Sequence, residues 1–176
     1  MRAANQAHIP PDVDRIPGDN LIGQEGCGFY MLVGCVNYGR VVVGGDGLGM
    51  AAAGLEEAWA FVHDREAFGR DISEFQSVQH RLADMRLEFE AARGLVWRAA
   101  DHVADHDDAG FWASMGKTKG TEAATMCAEG GMQLHGGRSV LTDNRIARVY
   151  RDCRIPVIYE GANEVQRNLI YSQNPS

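Results

Sequence analysis

Between Phe75 and Val103 the chain carries its clearest regular pattern. Phe75, Val78, Leu82, Met85, Phe89, Ala92, Val96, Ala99 and Val103 recur at threes and fours, the spacing of one face of an α-helix. Arg81, Arg86, Glu88 and Arg93 fall largely away from that stripe. A long helix with one apolar stripe buries it against other helices, so the pattern predicts helix-on-helix packing. Phe68 to Ile72 reads as a turn before it, and Ser73, Glu74, Phe75 and Gln76 read as a capping box that opens it.

The flanking segments supply the partners. From Tyr30 to His63 small and apolar residues dominate, and Leu55, Ala58, Trp59 and Val62 keep helical spacing up to the charged stop at His63, Asp64 and Arg65. Inside this segment Val41, Val42 and Val43 precede a glycine-rich run from Gly45 to Ala51 that matches the strand, turn and helix of a dinucleotide-binding fingerprint, with Asp64 near the ribose-binding distance. That pattern points to a nicotinamide oxidoreductase. The rest of the chain offers no further strand-helix-strand units for a parallel sheet, so the favoured reading is a helix through Gly44, Gly45, Gly47 and Gly49. Each glycine then gives up about 0.8–1.0 kcal/mol relative to alanine, to be regained by close packing on a neighbour.

Phe111 to Leu134 resumes helical spacing, with Phe111, Met115, Thr118, Glu122, Ala123, Met126 and Cys127 near one face and Lys117 and Lys119 off it. Its methionines read as core filler. His135, Gly136, Gly137 and Arg138 end that helix; the glycine pair serves as a C-cap or lets backbone N–H groups approach a phosphate. Thr142 or Asp143 can cap a short helix to Tyr150. The expected fold is all-α: a four-helix up-and-down bundle, with about four long members and short extra helices, over residues 30–176. Residues 1–29, rich in proline and glycine, read as an extended segment.

Charge and cysteine usage exclude several functions. A net charge of −7 with scattered arginines leaves no basic surface for nucleic acid. Cys27, Cys35, Cys127 and Cys153 form no C-x-x-C pair, which suggests neither a zinc site nor a redox dithiol and fits a reducing compartment. The longest apolar run, Phe29 to Val36, is too short to span a bilayer, and the start of the sequence, with Asn5, Gln6 and His8, does not read as a signal-peptide apolar segment. His102 and His106 stand at i and i+4 beside four aspartates, but a solvated helix end explains them better than a metal, because no third ligand is placed.

Chemistry is concentrated in the stretch from Arg151 to Arg167. Pro156 and Gly161 bound a turn that carries Glu160, and a new amphipathic pattern starts at Val165, Leu169 and Ile170. Val157, Ile158, Tyr159 and Ala162 flank the carboxylate with apolar groups, an environment that raises a carboxylate's pKa toward the range of a general base. Spacing alone leaves a second reading open, a surface glutamate stabilised beside a helix N-terminus.

Several motifs together resemble the C-terminal half of the acyl-CoA dehydrogenases. They are Arg65 to Arg70, Glu74 to Gln76, Gln79 with Leu82 to Met85, Gln133 to Gly137, Tyr150 to Asp152, and Ile158 to Arg167, in order and spacing from about Ile16 to Tyr171. The resemblance implies a C-terminal helical bundle preceded by an extended remnant of the family's middle β-domain, seen in Ile16 to Gly23. It implies desaturation of an acyl-CoA thioester, a step of fatty acid metabolism, with FAD as cofactor and electron-transfer flavoprotein as acceptor. Glu160 takes the place of the base that removes the α-proton while the β-hydrogen leaves as hydride to flavin N5, and a main-chain N–H of the turn donates to the thioester oxygen. Asn37, Arg40, Tyr159 and Gly161 would line the acyl-CoA site. Some members place the base on the earlier helix, where this chain has Gly39, which cannot ionise.

The same resemblance implies that flavin is shared between subunits of a dimer or tetramer, or with a partner chain carrying the remaining domains. Arg65, Phe68, Gln76, Gln133, Gly136 and Gly137 would meet a neighbour's flavin, while Ala162, Asn163 and Glu164 face the subunit's own. The family often has Thr-Ser where Ala162 and Asn163 stand, and an acidic residue in place of Asn37. No metal is implied, and the location is cytoplasmic, or the mitochondrial matrix in a eukaryote. The alternative is a non-catalytic bundle that completes a partner's flavin site.

Overall fold

Residues Gly28–Asp64 form one continuous helix, α1, in the computed structural model, which describes residues 7–8, 15–105 and 109–174. A hairpin of two-residue strands, β1 (Glu66–Ala67) and β2 (Arg70–Asp71), reverses the chain over Phe68 and Gly69. Then come α2 (Gln76–Asp105), α3 (Ala109–His135), α4 (Arg145–Asp152) and α5 (Asn163–Ser172). The fold is all-α apart from that hairpin, and residues 15–27 contribute turns and one short 3-10 segment at Gly18–Asn20. No helix among the described residues is long and apolar enough to cross a membrane.

Residue pairing fixes the helix directions. Gly44 meets Gly116, Gly47 meets Gly120 and Gly54 meets Cys127, so α1 and α3 run in the same sense. Gly116 meets Ala99 while Gly130 meets Met85, so α2 runs against them. The last helix, α5, returns along α3, from Asn163 beside Thr121 to Gln173 beside Gly110. The bundle therefore goes up, down, up and down, with three long helices and a short fourth in place of about four long ones. The stripe on α2 does what its spacing predicts: Leu82, Met85, Ala92, Val96 and Ala99 are buried, and the first three join Leu55, Ala58, Val62 and Cys127 in the main core.

Helix α3 lies between α1, α2, α4 and α5, and this overturns the expected two-faced pattern. Ser114, Lys117, Ala123, Cys127 and Ala128 are fully buried and Thr118 nearly so, and together they project around more than half of the helix. The exposed strip that remains, with Glu129 and Gln133, lies on the side away from Lys117.

Small residues make that enclosure possible. A Cβ on Gly47 would sit 2.5 Å from the Gly120 carbonyl oxygen, and a Cβ on Gly120 would collide with the Gly44 carbonyl. Backbones in such contact leave no room for a methyl group. The run from Val41 to Ala51 is helical throughout, as the favoured reading expects, and Gly44 and Gly47 are packing glycines; the strand that the nucleotide fingerprint requires does not form.

Two helix starts also differ from expectation. Ser73 lies in a 3-10 turn, Ile72–Glu74, which seats Ile72 against the core, so α2 starts at Gln76 and the Ser73 carbonyl accepts from the Gln79 side chain at 2.9 Å. For α4 the cap is Asn144, whose side chain accepts from the Ile146 N–H at 3.0 Å, in place of Thr142 or Asp143.

These contacts set opposite expectations for two glycines. Gly120→Ala should destabilise the fold by about 1–3 kcal/mol, as overpacking usually does. Gly45→Ala, where a Cβ meets open space, should stabilise it by about 0.8–1.0 kcal/mol through helix propensity. Denaturant melts of the two variants check the pair.

Candidate active site

The segment between α4 and α5 is a chain of tight turns anchored by buried Cys153 and Pro156. The N–H groups of Ile158 and Tyr159 both donate to the Ile155 carbonyl, at 2.9 and 3.2 Å, and the chain then enters left-handed backbone at two successive residues. Glu160 has φ +54° and Gly161 has φ +87°. Glycine takes that conformation freely, but a glutamate loses about 1–2 kcal/mol there, so the surroundings must hold it.

Two buried side chains do so. The Lys117 ammonium donates to the Val157 carbonyl at 3.3 Å, the Gly161 carbonyl at 3.0 Å and Asn163 Oδ1 at 2.7 Å. Gln166 Nε2 donates to the carbonyls of Glu160 and Gly161, at 3.2 and 3.0 Å. Asn163 Nδ2 donates in turn to Thr121 Oγ1 at 3.0 Å. Burial pushes the Lys117 pKa down to about 8; Glu164, Glu160 and Glu122 oppose the shift and Arg40 adds to it.

The turn sets the Glu160 carboxylate against α1. Its Oε2 lies 3.0 Å from where a Cβ on Gly39 would stand. One turn of chemistry therefore gathers Asn37, Gly39 and Arg40 from α1, Lys117 from α3, and Tyr159, Glu160 and Gly161 from the loop. Arg40 is buried, its Nη1 donates to Asn37 Oδ1 at 2.8 Å, and its Nε has no partner among the described residues. Burial lowers the Arg40 pKa against the pull of Glu160. The Tyr159 hydroxyl reaches Asp46 Oδ2 at 3.5 Å, and burial first, then the Asp46 charge, raises its pKa.

The apolar flanks expected around Glu160 do not enclose it: Ile158 is 56% exposed and Tyr159 37%. The half-buried carboxylate is covered from below by Gly39. Asn163, expected beside Ala162 and Glu164 on the outer side, turns inward onto Lys117 and Thr121, while Glu164 stays exposed.

A second cluster forms at the far end of the bundle. Phe68, Phe75, Ser77, Arg81 and Gln133 line one groove, and Gln133 with Gly136, Ser139 and Tyr150 lines the next. Phe68 has φ +56° and is 96% exposed. A bulky residue in that conformation is uncommon; the hairpin presents its ring with little covering it. Arg65 and Gln76 belong to the same end but line neither groove, and Gly137 is exposed beside Gly136. At 1.5 Å per residue, Gly39 and Arg65 are about 39 Å apart along α1, and Lys117 and Gln133 about 24 Å apart along α3.

His102 packs on the Trp112 ring at 5.0 Å, and His106, Asp107 and Asp108 lie outside the described residues. Among the described residues no three His, Cys, Asp or Glu side chains gather as a metal site.

The profile of the acyl-CoA dehydrogenase C-terminal domain matches residues 26–173. The chain belongs to the acyl-CoA dehydrogenase family. The rat mitochondrial short-chain specific acyl-CoA dehydrogenase is 37% identical over 170 residues, 97% of this chain and 41% of that protein. An acyl-CoA dehydrogenase structure from Geobacillus kaustophilus superposes with a TM-score of 0.86 at 38% identity, covering 92% of this chain and 42% of that one. Butyryl-CoA dehydrogenase from Megasphaera elsdenii gives the same TM-score at 34% identity, covering 89% and 41%. The chain thus spans less than half the length of these relatives.

Within an acyl-CoA dehydrogenase bundle, the residues that sequence reasoning passed over are Lys117, Gln166 and the inward role of Asn163. The available signal was a lysine among small residues, Ala113, Ser114, Gly116, Gly120 and Thr121, that mark a close helix contact. Gly161 sets the local test: a Cβ there would collide with Gln166 Nε2 while occupying left-handed backbone. Gly161→Ala should lower stability by about 1–3 kcal/mol, read by thermal melting against Gly137→Ala, where a Cβ meets open space.

Proposed function

We propose that this chain is the flavin- and substrate-binding helical domain of an FAD-dependent acyl-CoA dehydrogenase, with Glu160 as the base that removes the α-proton of an acyl-CoA thioester. The observation that carries this reading is the left-handed turn that presses the Glu160 carboxylate against Gly39, beside buried Arg40. Backbone strain held at one ionisable residue is a mark of a functional position.

The residues fit FAD. The far groove offers the aromatic walls of Phe68 and Phe75, the Arg81 guanidinium and the Gln133 amide, a set suited to an adenosine and its diphosphate. With Arg65 about 39 Å from Gly39 along α1, no single dinucleotide reaches both clusters of one chain. This separation supports a flavin shared between subunits of a homo-oligomer, or with a partner chain carrying further domains. Bound FAD would accept the β-hydrogen as hydride, and electron-transfer flavoprotein is the fitting acceptor thereafter.

The chain's own residues supply the acid–base part. Glu160 receives the α-proton, and a main-chain N–H of the turn donates to the thioester oxygen where negative charge develops. Asn37, Arg40, Tyr159 and Gly161 line the acyl-CoA site; Ala162 and Glu164 face the subunit's own flavin; Gln76, Gly136 and Gly137 approach the neighbour's. The segment read as residues 1–29 would be the end of a preceding β-domain, with Gly28 and Phe29 already in α1. The setting is the cytoplasm, or the mitochondrial matrix in a eukaryote.

In the flavin-loaded protein, Glu160→Gln should retain FAD and acyl-CoA binding while flavin bleaching in a single turnover slows by about 10²–10⁴-fold, the contribution of a positioned general base. Bleaching at the wild-type rate would place the base elsewhere. A variant and wild type that both bind flavin without bleaching would favour the non-catalytic bundle.

A further inference from the structure

The turn that carries Glu160 depends on a buried charge that no proton transfer uses. Lys117 is fully buried, yet all three of its N–H donors have an acceptor: the carbonyls of Val157 and Gly161, which flank Glu160 on both sides, and Asn163 Oδ1. Lysine cannot accept, so the Asn163 amide must turn its oxygen to Lys117, and its Nδ2 is left to donate to Thr121 Oγ1. Thr121 thus fixes Asn163, Asn163 fixes the ammonium, and the ammonium fixes the turn.

We propose that Lys117 is a positioning residue for Glu160: its ammonium, donating to both sides of the turn at once, holds the left-handed backbone at 160 and 161 and so keeps the carboxylate aimed past Gly39. This rests on Glu160 being the base. The geometry asks for three donors. A neutral amine has two, and its lone pair would face one of the three oxygens, so the clamp is complete only when Lys117 is charged.

The charges that bear on Lys117 are Arg40 from α1, Glu122 on α3 itself, Glu160 from the turn and Glu164 from α5. Burial outweighs the three carboxylates and brings its pKa from 10.5 to about 8. Rising pH through that value therefore removes the third donor and slows proton abstraction. Stability moves the other way: the folded chain releases this proton before the unfolded chain does, so this group's contribution to folding rises with pH between about 8 and 10.5. An alkaline loss of rate in a fully folded protein is what positioning predicts and a merely structural lysine does not.

The test reads flavin bleaching by acyl-CoA in the flavin-loaded protein across pH 6 to 10. Wild type should show an alkaline limb near pH 8. Asn163→Asp places a carboxylate on the ammonium, raises its pKa and should move that limb to higher pH. Lys117→Met should bleach about 10²-fold more slowly at pH 7, the order expected of a displaced catalytic group, and lose the limb, with acyl-CoA affinity nearly unchanged. In the flavin-free chain, amide hydrogen exchange should show the protection of residues 157–163 lost in Lys117→Met, with α1 and α2 unchanged. If Lys117→Met does not fold, the Asn163→Asp limb decides. An alkaline limb that stays in place in Asn163→Asp overturns the proposal and leaves Glu160 as base if Glu160→Gln is slow. Wild-type bleaching by Glu160→Gln overturns both.

Discussion

Helices α1 and α3 approach until backbone touches backbone, at Gly44 and Gly47 on one and Gly116 and Gly120 on the other. Four such glycines cost about 4 kcal/mol in helix propensity relative to alanine, so they persist only where the contact regains that in packing. Here the enclosure of α3 does so, with Ser114, Lys117, Thr118, Ala123 and Cys127 buried around more than half of its circumference. The close approach has a chemical result. It brings Gly39 on α1 and Lys117 on α3 to the same loop, one beneath the Glu160 side chain and the other beneath its backbone. A bulkier interface would hold the two helices apart and leave the turn unsupported.

Stability and geometry pull against each other at that loop. An ammonium out of water is costly, and the cost is tolerable because every donor is met. A glutamate in left-handed backbone is a further loss, offset by the carbonyl contacts of Lys117 and Gln166. Both losses fall on the residues that set the carboxylate's direction. The far end of the bundle shows the same economy of purpose, since Phe68 is held at positive φ and almost bare of contacts inside its own chain. On the proposed reading such features serve what the chain binds and not its own core.

Much of this was legible in the sequence. The α2 stripe foretold the buried Leu82, Met85 and Val96, and Pro156 with Gly161 foretold a turn at Glu160. The illegible parts have a common cause: periodicity reports a helix with one wet face. Helix α3 is buried around more than half of its circumference, so Lys117, though off the face that the spacing marks as core, is still inside the bundle. The glycines of α1 carry two meanings, phosphate approach and helix approach, and only the partner helix distinguishes them. Ser73 and Asn144 show that a capping residue is easier to recognise than to place, because the seating of Ile72 in the core, not the cap alone, decides where α2 starts. The spacing that puts Tyr159 near Asp46, and Gly39 under Glu160, is a property of the packed helices and has no local signature.

The central claim is that the Glu160 turn presents a base to the α-carbon of an acyl thioester. A crystal structure of the flavin-loaded protein with a redox-inert acyl-CoA analogue tests it most directly. The α-carbon should lie within about 3–3.5 Å of a Glu160 carboxylate oxygen, the range of a near-attack geometry, with the acyl chain passing Gly39 and residues 160 and 161 still left-handed. An α-carbon lying beside another carboxylate, with Glu160 turned to solvent, would contradict it.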